Sequence, residues 1–252
     1  MTREPSQLDK IADSWVDKMA ELSPSYATYI GRKGSDDKID DPSPEAIEHH
    51  LAESKKAYQQ VKAAPVADKV DEVTKDAMLE NFQLGVELHE SGVWKRDLDV
   101  IASPAQNIRD IFDLSPTDGE EAWAHLVKRM NAVPETIDGY IRTLRLGIES
   151  GDTPAKRQVV MNIEQADGIA SADGFFIKFA AGAKVDGALK SEVEAAGRRA
   201  TEGYAKLAEF FKNELLPKAN QVDAIGRDRY SLFSRKFLGA RIDLDETYEW
   251  GI

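Results

Sequence analysis

Apolar residues recur along the chain at intervals of three and four, a spacing that predicts helices almost throughout. Leu8, Ile11, Trp15, Met19 and Leu22 form one such stripe behind Ser6, a residue suited to capping a helix. Ser23-Pro24 interrupts it, and a short aromatic stretch from Tyr26 to Ile30 closes at Gly31. Residues 33–42 are polar and rich in Asp, Gly and Ser, which predicts a surface loop. Ser43-Pro44-Glu45 opens the next helix, whose stripe is Ile47, Leu51, Tyr58 and Val61. Beyond Ala64-Pro65 a third helix places Val66, Val70, Val73, Ala77, Leu84 and Leu88 on one face.

The period lapses between Gly92 and Ser103 and resumes after Ser103-Pro104 with Ile108, Ile111 and Phe112. Thr117-Asp118-Gly119-Glu120 has the form of a capping box and predicts a helix carrying Trp123, Leu126, Val127 and Met130. Val133-Pro134 predicts a fresh start, with Ile137, Ile141, Leu144 and Ile148 running on to Gly151. Thr153-Pro154 repeats that signal before Val159, Val160, Ile163 and Ala166, and a Phe175-Phe176-Phe179 cluster follows between Gly174 and Gly182. The longest element is predicted near 188–216, stopped by Pro217. Ile225, Tyr230, Phe233 and Phe237 make one more stripe before Gly239, with Trp123 and Phe233 as candidate core positions, and Arg241–Leu244 is the single weak strand candidate. The reading is an all-α multi-helix array of about nine to eleven amphipathic helices. With no repeat and no linker, it is taken as one helical domain over 1–252.

Composition narrows the possible functions. The 252 residues contain no cysteine, which excludes a disulfide scaffold, a thiolate metal site and a thiol nucleophile. Lys and Arg number 33 against 45 Asp and Glu, a net charge of −12 without a basic block, so neither nucleic acid nor an anionic membrane is an expected partner. The first 30 residues lack the apolar core of a signal peptide, and the expected location is the cytoplasm. The segment from Asp243 finishes on Tyr248, Trp250 and Ile252, apolar where chain ends are usually polar, and this suggests the N-terminal part of a longer protein.

Reactive residues are few. The histidines are His49, His50, His89 and His125. None has a second histidine four residues on, and none follows a glutamate by three, so the helical zinc and di-iron patterns are missing. No nucleophile elbow and no phosphate-binding glycine loop occurs. Asp36-Asp37-Lys38-Ile39-Asp40-Asp41 lacks the ligand alternation of a calcium loop and reads as a solvated turn. The basic pairs, Lys128-Arg129 among them, read as helix surface. No catalytic residue and no metal ligand is assigned. The one candidate site is Gly226-Arg227-Asp228-Arg229-Tyr230, where the Arg227 guanidinium can take a substrate carboxylate bidentately beside Tyr230. The structural alternative pairs Arg227 with Asp223 or Glu214 and buries Tyr230 in the core.

Taken together, several segments resemble the bacterial domain-of-unknown-function 885 family. They are Leu22–Gly31, Asp40–Ala46, Arg157-Gln158-Val159 through Gln165-Ala166, Gly226–Tyr230 and Leu244–Gly251, in that order. The resemblance implies a largely helical protein about twice this long, similar to gluzincin-related zinc peptidases, whose zinc-binding elements lie C-terminal to the matched region. It therefore implies that this chain supplies a helical, cleft-forming part of a zinc-dependent metallohydrolase acting on peptides, inactive alone, with zinc only in the full-length protein. The implied partner is the missing C-terminal half, or a second copy through the C-terminal segment. The alternative is a free-standing helical interaction module without catalysis.

Overall fold

A computed structural model describes residues 3–252. Among them lie eleven α-helices and no strand. In chain order these are α1 (Gln7–Leu22), α2 (Pro24–Tyr29), α3 (Pro44–Ala63), α4 (Lys69–Glu90), α5 (Pro104–Asp110), α6 (Gly119–Ser150), α7 (Lys156–Ala170), α8 (Phe175–Ala181), α9 (Gly187–Phe210), α10 (Arg227–Leu238) and α11 (Leu244–Gly251). Arg241–Leu244 is not a strand; the one bridge among the described residues pairs Ala155 with Asn220. The array of helices expected from the periodicity is therefore present.

The helices form two compact units, one from Met1–Trp15, His49–Trp94 and Val222–Ile252, the other from Val16–Glu48 and Lys95–Gln221. Each unit is assembled from segments distant in sequence, so no single Pro- or Gly-rich linker marks the division.

The larger unit is organised on α6 and α9, which pack along one another, with α7 and α8 against α9. Helix α6 departs from the expected pair of helices by running for 32 residues straight through Pro134. A proline inside a helix costs roughly 3 kcal/mol. The stripes on either side of it share one 3.6-residue phase, however, and Trp123, Leu126, Met130, Val133, Ile137, Tyr140, Ile141 and Leu144 are all buried. Burial of each such side chain is worth roughly 1.5–3 kcal/mol, so continuity wins. At its start the expected capping box does not form: Asp118 holds the N-cap position without a side-chain hydrogen bond. Its end is a Schellman motif, with Gly151 at φ +69°, Asp152 N donating to Gly147 O (2.9 Å) and Gly151 N to Ile148 O (3.1 Å). Helix α9 stops earlier than expected. Pro217 cannot donate back into the helix, and the chain widens into a π turn at Phe211–Leu215 before tightening at Leu216–Lys218.

Gly147 is among the glycines of this unit set by close packing. A Cβ on Gly147 would collide with the Lys95 carbonyl oxygen and lie 2.8 Å from that of Asp152, both backbone atoms with little room to yield. Gly147→Ala should therefore destabilise by roughly 1–3 kcal/mol despite its better helix propensity. Gly85, exposed on α4 with open space around it, supplies the control: Gly85→Ala should stabilise by roughly 0.5–1 kcal/mol. Chemical denaturation of both variants checks the opposite signs.

The smaller unit closes a separate core of Leu8, Ala57, Val61, Ala64 and Phe82, with Trp15 edge-on to Phe82 at 4.9 Å. The expected α4 stripe is corrected at its N-terminal end, where Val66, Val70 and Val73 are exposed. The inward face there is polar. Asp71, fully buried, accepts from Ser6 Oγ (2.8 Å) and Ala67 N (3.0 Å), and Lys75 Nζ donates to Ala64 O (2.5 Å). The N-cap read at Ser6 is present, with Asp9 N donating to Ser6 Oγ (3.1 Å) and Ser6 N to Asp9 Oδ2 (2.8 Å).

Candidate functional site

Gly226, at φ +85°, turns the chain into α10 and places Arg227 at its first position. The Arg227 guanidinium is gripped in bidentate fashion by Asp245 of α11, at 2.8 and 2.7 Å. The partner is neither Asp223 nor Glu214, the acids nearer in sequence; Glu214 is held instead by Arg145 at 2.8 and 2.7 Å. The pairing raises the pKa of Arg227 and lowers that of Asp245. Asp243 caps α11, accepting from Asp245 N (2.9 Å) and Glu246 N (3.1 Å), and so aims the Asp245 carboxylate at the fork. Tyr230 is exposed rather than buried in the core, and Phe233, the candidate core residue one turn on, is 39 % exposed. The site thus holds a planar cation whose bidentate edge is filled by the Asp245 carboxylate.

What fixes α10 is charge rather than apolar burial. Arg235, almost fully buried, donates to both carboxylate oxygens of Glu80 and to Glu87 Oε2 (2.7 Å), all on α4. The hydrogen bond from Arg235 holds the Glu80 pKa below the ordinary glutamate value of 4.5. A carboxylate with a depressed folded pKa contributes stability above its unfolded pKa and loses it as pH falls through the folded value. Protection factors in residues 227–238, taken against the intrinsic exchange rate at each pH, should therefore fall below about pH 4.5, and Arg235→Ala should produce the same loss of protection at neutral pH. Unchanged exchange in that variant would show that another contact holds α10.

The residues present do not fit a zinc ion. Among the described residues no three His, Asp or Glu side chains gather closely enough to hold a metal. His89 lies stacked on Trp94 with ring centroids 5.3 Å apart, and His50 meets Trp15 edge-on. His125 lines a cavity of about 400 Å³ in the larger unit together with Thr28, Arg32, Lys33 and Ser115.

Two polar clusters escaped sequence reasoning. The acidic loop is not a solvated turn. Arg129 of α6 lies fully buried beneath it, donating to Lys38 O (2.7 Å), Ser35 O (2.9 Å), Thr28 Oγ1 (3.1 Å) and Ser115 Oγ (2.6 Å). Asp40 accepts from Ser23 Oγ and Ser25 N, and Asp37 pairs with Lys128. Burial lowers the Arg129 pKa, opposed by the neighbouring Asp36, Asp40 and Asp37. The second cluster explains the Arg157–Ala166 segment. Asn162 and Gln165 of α7 meet Gln106 of α5 at 2.9 and 2.6 Å, and Asn162 Nδ2 also donates to Asp99 O (2.8 Å). These amides pin the aperiodic stretch after Gly92 and border a second cavity of about 440 Å³.

The sequence profile described as bacterial protein of unknown function (DUF885) matches residues 24–252. The chain belongs to the DUF885 family. The five segments that resemble that family all lie within or overlap the match, and in the fold they serve different ends: a loop clamp, an amide network and the Arg227–Asp245 pair. No curated protein matches this DUF885 chain. Among solved structures it is similar to "the putative lipoprotein from Colwellia psychrerythraea", with a TM-score of 0.73 at 15 % identity. The likeness covers 98 % of this chain and 48 % of that one, so the chain spans about half the length of that structure. At this identity the similarity shows the fold. No helix among the described residues is long and apolar enough to cross a membrane.

Proposed function

We propose that this DUF885 chain is the helical, substrate-facing part of a longer zinc-dependent hydrolase acting on peptides or related amides, with the metal ligands supplied by the half it does not span. The observation that carries the reading is length: essentially all of this chain is used to cover about half of the Colwellia structure. The family resemblance supplies the reaction class. Because the residues here do not fit zinc, no step through a metal is assigned to them. Their part is binding: Arg227 exchanges Asp245 for a substrate carboxylate, and Tyr230 packs beside the bound peptide. The cytoplasmic location belongs to the same proposal.

The test is metal analysis and peptide hydrolysis on the full-length gene product and on this 252-residue chain. Zinc and activity are expected in the former and neither in the latter. A coding region that stops at Ile252, or stoichiometric zinc in the short chain that disappears in His89→Ala, overturns the reading. For the binding role, Arg227→Ala in the full-length enzyme should raise KM about tenfold or more for a peptide with a free carboxylate, with kcat little changed. An equal effect on the amidated peptide would show that Arg227 does not read the carboxylate.

A further inference from the structure

We infer that α10 and α11 form the surface on which the other half of the full-length polypeptide docks. This rests on the half-length reading above and adds the place of contact.

Phe233 and Phe237 fall one turn apart on one face of α10, the spacing of a core-facing stripe, yet both are exposed, Phe237 to 90 %. On α11 Tyr248 and Trp250 are exposed to 68 % and 88 %. A single exposed apolar side chain is ordinary, but a run of large ones on adjacent elements marks an interaction surface. The anchoring of α10 makes the point sharper. Its grip on α4 runs through Arg235, so the apolar stripe is left over for another surface.

Helix α11 carries the argument further. It has eight residues and no extensive packing against any other element; Arg227–Asp245 is the side-chain bond that ties it to α10. An exposed ion pair of this kind adds at most about 1 kcal/mol, so it does not by itself hold α11 in place. Tyr248 and Trp250, both outward on α11, extend the apolar surface that the exposed stripe of α10 begins. This chain covers 48 % of the Colwellia structure, which holds about as much polypeptide again beyond the part this chain matches. The occupant is accordingly an apolar face of the same full-length chain, and the Asp243 cap and the Asp245 pair hold α11 ready for it.

Hydrogen exchange on the full-length gene product and on the 252-residue chain tests the assignment. Amides of residues 227–251 should exchange at least about tenfold more slowly in the full-length protein. Phe237→Asp combined with Trp250→Asp should abolish that slowing in the full-length protein, while the melting temperature of the short chain stays unchanged because both side chains are solvated there. Equal exchange in the two proteins overturns the inference. So does protection of α11 in the short chain that rises with concentration, which would make a second copy the occupant. Zinc content and hydrolysis of the same full-length sample judge the enzymatic reading separately. Protected α11 without zinc or hydrolysis defeats the hydrolase and leaves the docking surface, and an active zinc protein with α11 exposed does the reverse.

Discussion

Replacing Arg129 by methionine should lower the free energy of unfolding by roughly 2–5 kcal/mol. The guanidinium is wholly buried, and the four acceptors it reaches are neutral: two backbone carbonyls and two hydroxyls. The hydroxyls survive the change best, since Ser115 Oγ already donates to Ile111 O and Thr28 Oγ1 to Pro24 O. The carbonyls of Ser35 and Lys38 lose their side-chain donor, at roughly 1–3 kcal/mol for each one left buried. Opposing this, methionine needs no desolvation of a charge, which is why the expected loss is below the sum of the broken bonds. Arg129→Lys should fall close to methionine, because one ammonium cannot span four acceptors that a planar fork reaches together. The loss has a place as well as a size. Residues 31–42 should become the first site of proteolytic nicking, and a variant that stays within about 1 kcal/mol of the parent with that loop still resistant would show that the loop is held by its own aspartates.

Periodicity made the helices legible because most of them bury one apolar stripe, and the stripe is the signal. It misplaced boundaries where two local rules compete. Pro134 is a sound start signal, but it stands within a single phase of buried residues from Trp123 to Leu144, and their burial overrides it. On α4 the valines carry the right spacing on the wrong side. Asp71 and Lys75 are satisfied by hydrogen bonds inside, so the polar face turns inward there and the apolar face outward. Hydrophobic pattern alone cannot reveal a polar face that has found its partners.

The candidate site was legible only in part. Gly226-Arg227 gave both the turn and the cation, since each follows from local chemistry. Its partner, Asp245, lies 18 residues on, and nothing in spacing favours it over Asp223 or Glu214. Basic pairs scattered among acids read as helix surface, and of Lys128-Arg129 only Lys128 is exposed. The available signal was the place of Arg129 between Val127 and Met130 in the middle of an apolar stripe, where a lone arginine must either snorkel or be met by acceptors. Asn162 and Gln165, three apart on α7, carried the analogous sign of a polar contact on an otherwise apolar helix face.

The second large effect is expected at Trp123, and Phe233, an aromatic at the same kind of stripe position, gives it a control. Both aromatics occupy stripe positions in the sequence, and only one is core: Trp123 is 3 % exposed and Phe233 is 39 %. Trp123 closes one end of an aromatic cluster, its ring 5.2 Å from Phe179, which in turn lies 5.9 Å from Phe112 and 5.5 Å from Phe175. Trp123→Ala removes the indole from a region built by α6, α8 and the turn at Ile111–Asp113, elements that cannot all move in to fill the space. The expected loss is roughly 3–5 kcal/mol, the transfer of the indole plus an unfilled cavity. Phe233→Ala on the solvated side of α10 should cost less than about 1 kcal/mol in the short chain. Guanidinium melts of the two variants decide the matter, with a common slope establishing that the midpoints report stability. A Trp123→Ala midpoint near that of the parent would mean that the aromatic cluster repacks around the vacancy, and a large Phe233→Ala loss would place α10's apolar face in contact with structure even in the isolated chain.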